Sequence, residues 1–291
     1  MSKKEIKKIE GKKFFNYKRR FGDRNDGWRV RSHDPFFGII PHLMHTRLDS
    51  MVFFEEKIDL EDLEAFVRQQ RKDSDMTDLS IVMVIMSACL RAMAQYPKAN
   101  RFIAGRKIFA RNYLSIAMVI KKELTKDSTE TTICPRFDPD ASLHDVWETI
   151  HKAIDASKKV EDSNSTEKFA AIVNRLPVPL IQFFIFLIKA FDYCGLLPKA
   201  LIKIIPFHTS YFITDIGSTG IGSVYHHLYE FGTCSVFLSM GKKEKYLALD
   251  GDGKPVERKF VNLRFVVDER VTDGFYYASV MKYLRKLLKN P

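Results

Sequence analysis

The sequence lacks several features that would have narrowed its function at once. Its four cysteines, Cys89, Cys134, Cys194 and Cys234, lie far apart and form no C-x-x-C pair, which argues against a disulfide scaffold and a zinc site alike. A reducing, cytoplasmic setting is therefore expected. No apolar stretch follows Lys3, Lys4, Lys7 and Lys8 within the first thirty residues, so no secretory signal is expected. Nor does any run reach the roughly 20 uninterrupted apolar residues of a membrane span. The histidines, among them His33, His42, His45 and His208, show no metal-ligand spacing, no nucleic-acid motif is present, and there is no convincing internal repeat. Gly217-Ser-Thr-Gly220-Ile-Gly222 lacks the Gly-Lys-Ser/Thr ending of a phosphate loop, and no strongly periodic helix follows it.

What is present describes a folded chain. With 45% hydrophobic and 29% charged residues over 291 positions, it can bury a substantial core in one large domain or two small ones. The net charge is +11, and Lys3, Lys4, Lys7, Lys8, Lys12, Lys13, Lys18, Arg19 and Arg20 crowd the first twenty positions. Such a run reads as a solvated tail or the polar face of a helix, with anionic lipid or an acidic partner as the alternatives.

Met51 to Asp59 is β-prone and leads into Leu60 to Arg68, where Leu60, Leu63 and Val67 share a helical face and Asp59 can cap. Thr77 to Gln95 carries Leu79, Val82, Met83, Met86, Leu90 and Met93 at helical spacing, with Asp75 and Thr77 as capping candidates and Pro97 as its limit. Asn100 to Ile120 reads as two or three strands, with a polar tip at Lys121 to Thr129 and a return through Thr131 to Cys134. Asp140 to Ser142 opens a helix over His144 to Lys159 with Val146, Ile150 and Ile154 inside. Strands return at Ser210 to Thr214, Cys234 to Met240, Lys245 to Leu249 and Lys259 to Val267, before an amphipathic helix over Phe275 to Lys289. This order predicts an α/β layered domain.

A polar, linker-like stretch at Glu161 to Thr166 precedes a very apolar one from Phe169 to Phe207, interrupted by Lys189 and Asp192 and ended as a helix by Pro198. Three readings stay open for it: a helical insertion packed on the domain, a hairpin in the membrane interface with Arg175, Lys189, Lys199 and Lys203 at the headgroups, or a groove for a partner or an acyl chain.

Phe212-Ile-Thr214-Asp215-Ile-Gly217 is followed, roughly fifty residues on, by Asp268-Glu269-Arg270-Val-Thr-Asp273-Gly274-Phe275 and a final helix. This pattern resembles the catalytic domains of the dihydrolipoyl acyltransferases of 2-oxo acid dehydrogenase complexes, which carry Thr-x-Ser-Asn-x-Gly and then Asp-His-Arg-x-x-Asp-Gly-Ala. It is also similar to the chloramphenicol acetyltransferases, in Lys57-Ile-Asp59-Leu60 and in Asp273-Gly274-Phe275. The likeness spans about residues 28 to 160 and 206 to 291, leaving the basic segment 1–27 and the insertion 163–205 outside the pattern, with no lipoyl or subunit-binding segment ahead of the core. The resemblance implies an α/β, chloramphenicol acetyltransferase-like two-layer domain over 28–291, with a mixed β-sheet, flanking helices and a hydrophobic helical insertion. It implies a homotrimer with its channel at the subunit interface, no bound cofactor, and a coenzyme A thioester as substrate with a separate acyl acceptor.

Acyl exchange needs a base for the incoming thiol or alcohol and a donor for the oxyanion. By the resemblance Thr214 is the oxyanion donor, and Asp273 supports the motif loop through an arginine, for which Arg29, Arg31 and Arg47 are candidates, each otherwise an ordinary surface residue. Glu269 stands where the family has its histidine. It can act as a base if desolvated, it can pair with Arg270 or another cation in a dead site, or the base can come from His226 or His227. The expected function is accordingly a free-standing acyltransferase of weak or no activity, the alternative being a non-catalytic trimeric scaffold or binding module, peripheral on a membrane through 169–205.

Overall fold

Val261-Asn-Leu-Arg-Phe-Val-Val267 alternates as a strand with two different faces should. The computed structural model, which describes residues 19–121, 130–159 and 174–291, gives that alternation its meaning. The elements are β1 (Gly27–Arg29), α1 (Pro35–Leu43), β2 (Met51–Asp59), α2 (Glu61–Asp73), α3 (Ile81–Gln95), β3 (Arg101–Ala104), β4 (Lys107–Arg111), β5 (Leu114–Lys121), β6 (Glu130–Ile133) and β7 (Arg136–Phe137). They continue with α4 (Leu143–Lys159), α5 (Val178–Cys194), α6 (Lys199–Ile204), β8 (Tyr211–Asp215), β9 (Val236–Leu249), β10 (Pro255–Asp268) and α7 (Gly274–Lys289). The basic run up to Lys18, the polar tip at 122–129 and residues 160–173 of the linker and insertion lie outside the described residues.

A mixed sheet runs β2-β10-β9-β8-β5-β6, with β7 beside β5, and a second small sheet runs β1-β4-β3. Strand β8 is parallel to both β5 and β9, while β10 is antiparallel to β2 and β9. One face of the large sheet carries Ile116, Tyr211, Ile213, Val236, Leu238, Leu263, Phe265 and Val267 into a core shared with Leu63, Val67, Val280 and Leu284 of α2 and α7 and with Val146 and Ile150 of α4. Helix α3 is buried on several sides at once, through Val84 to Leu90, Ala92 and Met93. Each large apolar side chain removed from water here contributes about 1.5–3 kcal/mol before entropy is counted. The reverse face holds a smaller cluster, Ala117, Phe212, Phe237 and Val266, covered by Leu228 and Tyr229. This is the two-layer α/β architecture that the motif implied.

Local details differ from the sequence reading. Helix α3 begins at Ile81 with Ser80 as its cap, Ser80 Oγ accepting from Met83 N at 3.4 Å, so neither Asp75 nor Thr77 caps it. Asp59 does serve α2, its carboxylate accepting from Glu61 N at 2.9 Å. The two expected strands at 234–240 and 245–249 are one strand, β9, because β10 pairs with it along nearly its whole length. Their hairpin closes at Asp250 to Lys254, where Gly253 takes φ 77, a left-handed value that favours glycine. Gly241 matters for a different reason. A Cβ there would overlap the backbone of Gly222 and Ser223, which strap the reverse face of the sheet. Gly241→Ala is therefore expected to cost about 1–3 kcal/mol by urea denaturation, and an unchanged midpoint would mean that the strap moves freely.

Residues 174–205 do not fulfil the packed-insertion reading along their whole length. Asp192, Leu197 and Ile202 are buried, whereas Val178, Leu180 and Phe183 to Phe186 are exposed. The C-terminal end of α5 is held by Arg24, whose guanidinium bonds the Asp192 carboxylate at 2.6 Å and the Asp192 carbonyl, and by His208 Nε2 at 3.0 Å from the same carboxylate. Burial pushes the Asp192 carboxyl upward, but the His208 hydrogen bond and the charges of His208 and Arg24 outweigh it and bring it down to about 2.

Candidate active site

The chain leaves β10 at Asp268 and enters α7 at Gly274 through a loop with an internal scaffold. Asp268 is fully buried. Its carboxylate accepts from Ser50 Oγ at 3.0 Å and from Arg270 through the backbone N at 3.1 Å, Nε at 2.9 Å and Nη2 at 2.7 Å. Arg270 Nη1 also donates to the Met44 carbonyl at 3.1 Å, and the Tyr277 hydroxyl donates to the Asp268 carbonyl at 3.0 Å. Between these two paired residues stands Glu269, half-buried, its N–H bonded to the Ser50 carbonyl at 3.0 Å. The Tyr277 hydroxyl is pushed well up by burial and then by the charges of Asp268 and Glu269.

This geometry corrects two expectations. Arg270 is committed to Asp268, so the proposed Glu269–Arg270 pair does not form. Asp273 is not the arginine partner of the loop either: it is the N-cap of α7, its carboxylate accepting from Tyr276 N at 2.8 Å. Of the three arginine candidates, Arg31 pairs with Asp23 at 3.0 Å and Arg29 is exposed. Arg47, read as a surface residue, is buried. It donates to the carbonyls of Glu230 at 2.7 Å and Gly232 at 2.7 Å, and it lies in the field of Asp268 and Arg270, with burial the largest influence lowering its pKa.

Thr214 lies two strands away. It pairs in register with Ser239, and Ser239 with Arg264, so it shares the reverse face of the sheet with Phe212. Ser239 Oγ accepts from Val224 N at 3.1 Å, and Arg264 Nη1 donates to the Ser223 carbonyl at 2.5 Å while Nε meets Glu55 at 3.3 Å. Glu269 is five residues past Arg264 along the β10 direction. At about 3.4 Å per residue and about 4.8 Å per strand, Thr214 and Glu269 of one chain stand about 20 Å apart. A single chain does not bring the two together.

His226 is on the Thr214 side of the sheet, stacked on Phe237 at 4.1 Å between ring centres, with His227 stacked on it at 4.5 Å. Burial, together with the neighbouring His227, lowers the His226 pKa, and Nδ1 lies 2.8 Å from the His227 carbonyl, which fixes Nδ1 as the protonated nitrogen of the neutral ring. A cleft of about 690 Å³ lies at the other face of the sheet, lined by Arg68, Arg71, Asp215, Gly217, Gly241 and Lys243. Its cations are already engaged, Lys243 by Glu64 at 2.5 Å and Arg71 Nε by the Leu79 carbonyl at 2.7 Å. Asp215, exposed at the end of β8 beside it, has its pKa raised by partial desolvation. Among the described residues no group of histidine, cysteine and acidic side chains is arranged to hold a metal ion.

The Asp268–Arg270 pair was missed at the sequence level: it forms where the chain turns out of β10 at Glu269 and Arg270, and a turn carries no alternation signal.

No family model matches the chain, and no curated protein matches it in sequence. Solved structures do match. A probable dihydrolipoamide acetyltransferase from Listeria monocytogenes is 13% identical with a TM-score of 0.57, over 90% of this chain and 94% of that one. The Azotobacter vinelandii dihydrolipoamide acetyltransferase is 17% identical with a TM-score of 0.51, over 90% and 92%. A chloramphenicol acetyltransferase is 12% identical with a TM-score of 0.52, over 87% and 94%. Identities this low speak for the fold alone, and the chain has the fold shared by the dihydrolipoamide acetyltransferase catalytic cores and chloramphenicol acetyltransferase.

Proposed function

We propose that the protein is an acyltransferase-fold module, assembled as a homotrimer, in which acyl transfer from a coenzyme A thioester is weak or absent and the fold serves as a binding or scaffolding unit. One observation supports the reading: a loop built in full around Asp268 and Arg270 carries Glu269, the residue that the motif aligns with the family's histidine. In the Azotobacter enzyme a serine, a histidine and an asparagine were studied for their catalytic roles, the last two four residues apart. Glu269 and Asp273 have that spacing, with carboxylates in both places.

The chemistry follows from the exchange. A thiol with a pKa of about 8.5 gives up its proton readily to an imidazole and poorly to a carboxylate, whose ordinary pKa is near 4.3. The trimer enters because Thr214 and Glu269 lie far apart in one chain, so only a second copy can set the hydroxyl of one subunit against the motif loop of another. Such an interface would also exclude water from the site. A second reading rests on His226, a neutral imidazole on the face that carries Thr214, free at Nε2 to take a proton.

The test is release of free coenzyme A from an acyl-CoA in the presence of a dithiol acceptor. Wild type is expected near background, and Glu269→His is expected to raise the rate by about a hundredfold, the low end of what a positioned base supplies. Wild-type turnover that Glu269→Gln abolishes would make Glu269 the working base and end the inactive reading. Turnover lost instead in His226→Gln would move the base to His226.

A further inference from the structure

A helix that is apolar on every side has no single seam to offer a protein partner and belongs in an apolar surround. Helix α5 has that character over its N-terminal half. From 176 to 188 the one polar side chain is Gln182. Phe183, Phe184, Ile185 and Phe186 follow one another at about 100° steps around the axis, yet they are 54%, 44%, 44% and 65% exposed, and Val178 is 64% exposed. A coiled-coil or groove partner would cover one stripe of such a helix and leave the rest in water.

The backbone points the same way. A helix start normally leaves four N–H donors without a partner inside the helix, which is costly away from water. In α5, Pro179 has no N–H, and the amides of Leu180 and Ile181 both bond the Pro177 carbonyl, at 2.9 and 3.1 Å. Of the first four residues, only Val178 keeps a donor outside these bonds.

The charges around the helix have one sign on the outside. Between 174 and 205 the bases are Arg175, Lys189, Lys199 and Lys203, all exposed, and the one acid is Asp192. Asp192 is buried and spent on Arg24 and His208. The neighbouring turn between β3 and β4, packed where Gly105 meets the Tyr193 backbone, adds exposed Arg106 and Lys107. Among the described residues no helix is long and apolar enough to cross a membrane, and α5 measures about 25 Å. An in-plane seat therefore fits it and a crossing does not.

We propose that α5 docks this protein on an anionic lipid bilayer. Val178 to Ile188 lie along the acyl–headgroup boundary, with Arg175 and Lys189 reaching the phosphates from its two ends and Lys199 and Lys203 adding attraction behind. The Arg24–Asp192–His208 network holds the C-terminal end of the helix to the domain, so the domain is fixed at the surface with it. The docking surface shares no residue with Thr214 or Glu269, and the coenzyme A release assay is indifferent to it.

Flotation of the full chain with vesicles tests this. Wild type is expected to rise with phosphatidylcholine–phosphatidylglycerol vesicles, and several-fold less with phosphatidylcholine alone. The pair Phe183→Gln and Phe186→Gln, at exposed sites that leave the melting curve unchanged, is expected to lower the bound fraction at least about tenfold. Lys199→Glu with Lys203→Glu is expected to weaken binding by a similar factor at low salt and less at high salt. The proposal is overturned if wild type stays with the lipid-free fraction. It is overturned equally if the phenylalanine variant floats as wild type does, since other basic residues would then hold the protein. A third overturning result is an unfloated wild type whose oligomer shrinks in the phenylalanine variant, because a second copy would then cover the helix.

Discussion

Asp268→Asn is expected to lower the unfolding free energy by about 3–5 kcal/mol, measured by urea denaturation at neutral pH. The size follows from what the substitution leaves behind. Asp268 and Arg270 are both buried, and the carboxylate takes two guanidinium bonds, the Arg270 amide and the Ser50 hydroxyl. An amide in its place keeps one acceptor and turns an NH2 toward a donor, so a charged guanidinium stays buried with one of its two carboxylate bonds gone. The companion variant separates removal of a partner from removal of the pair. Asp268→Leu with Arg270→Met deletes both charges and is expected to fall well short of the single substitution's loss, since buried pairs replaced by apolar groups are often close to neutral. A single variant that unfolds at the wild-type midpoint would show that the pair contributes nothing and that the motif loop is held by its backbone bonds alone.

That loop shows where the sequence was readable and where it was not. Asp273-Gly274 before an amphipathic run, and Phe212 to Gly217 at the right separation, were enough to name the fold, and the layered sheet and final helix agree with them. Strand alternation and helical spacing are local signals, which is why β2, β8, β10, α4 and α7 were legible within a few residues. Strand β9 was split in the reading because Gly241-Lys-Lys-Glu-Lys245 is polar enough for a turn. It stays a strand through its partner, with Lys245 set across from Lys259 and bonded to Glu257 at 2.8 Å.

The misassigned arginine has a different cause. Asp273 was given an arginine because the resemblance supplied one, yet its position just ahead of a helix already fitted a cap. Arg47 was unreadable for a long-range reason, since its guanidinium is held by the carbonyls of Ile103, Glu230 and Gly232 and its amide by the Glu230 carboxylate, all more than 50 positions away. Position 269 was legible as a departure from the pattern, but its consequence, under the proposed function, depends on a second copy. Two sites about 20 Å apart in one chain can meet only across an interface, and no pattern within one sequence displays that.

The network that holds α5 to the domain predicts the second large effect, and it carries a pH signature. Asp192→Asn is expected to cost about 3–5 kcal/mol at pH 7, because Arg24 stays buried beside the stacked pair Phe102 and Phe109 with one of its two carboxylate partners lost, and His208 loses the acceptor at its Nε2. The charged form of Asp192 is the favoured one in the fold, with its pKa brought down to about 2 against about 3.9 in an unfolded chain. A depressed carboxylate stabilises the fold above the unfolded value, and that share, about 2 kcal/mol, is lost as pH falls from near 4 through 2. The difference in unfolding free energy between wild type and Asp192→Asn should accordingly shrink by about 2 kcal/mol as pH falls from about 5 toward 2. A difference that stays constant across that range would mean that the charge of Asp192 is not what binds the helix. A difference that widens in acid would reverse the sign and place the ionised form on the losing side of folding.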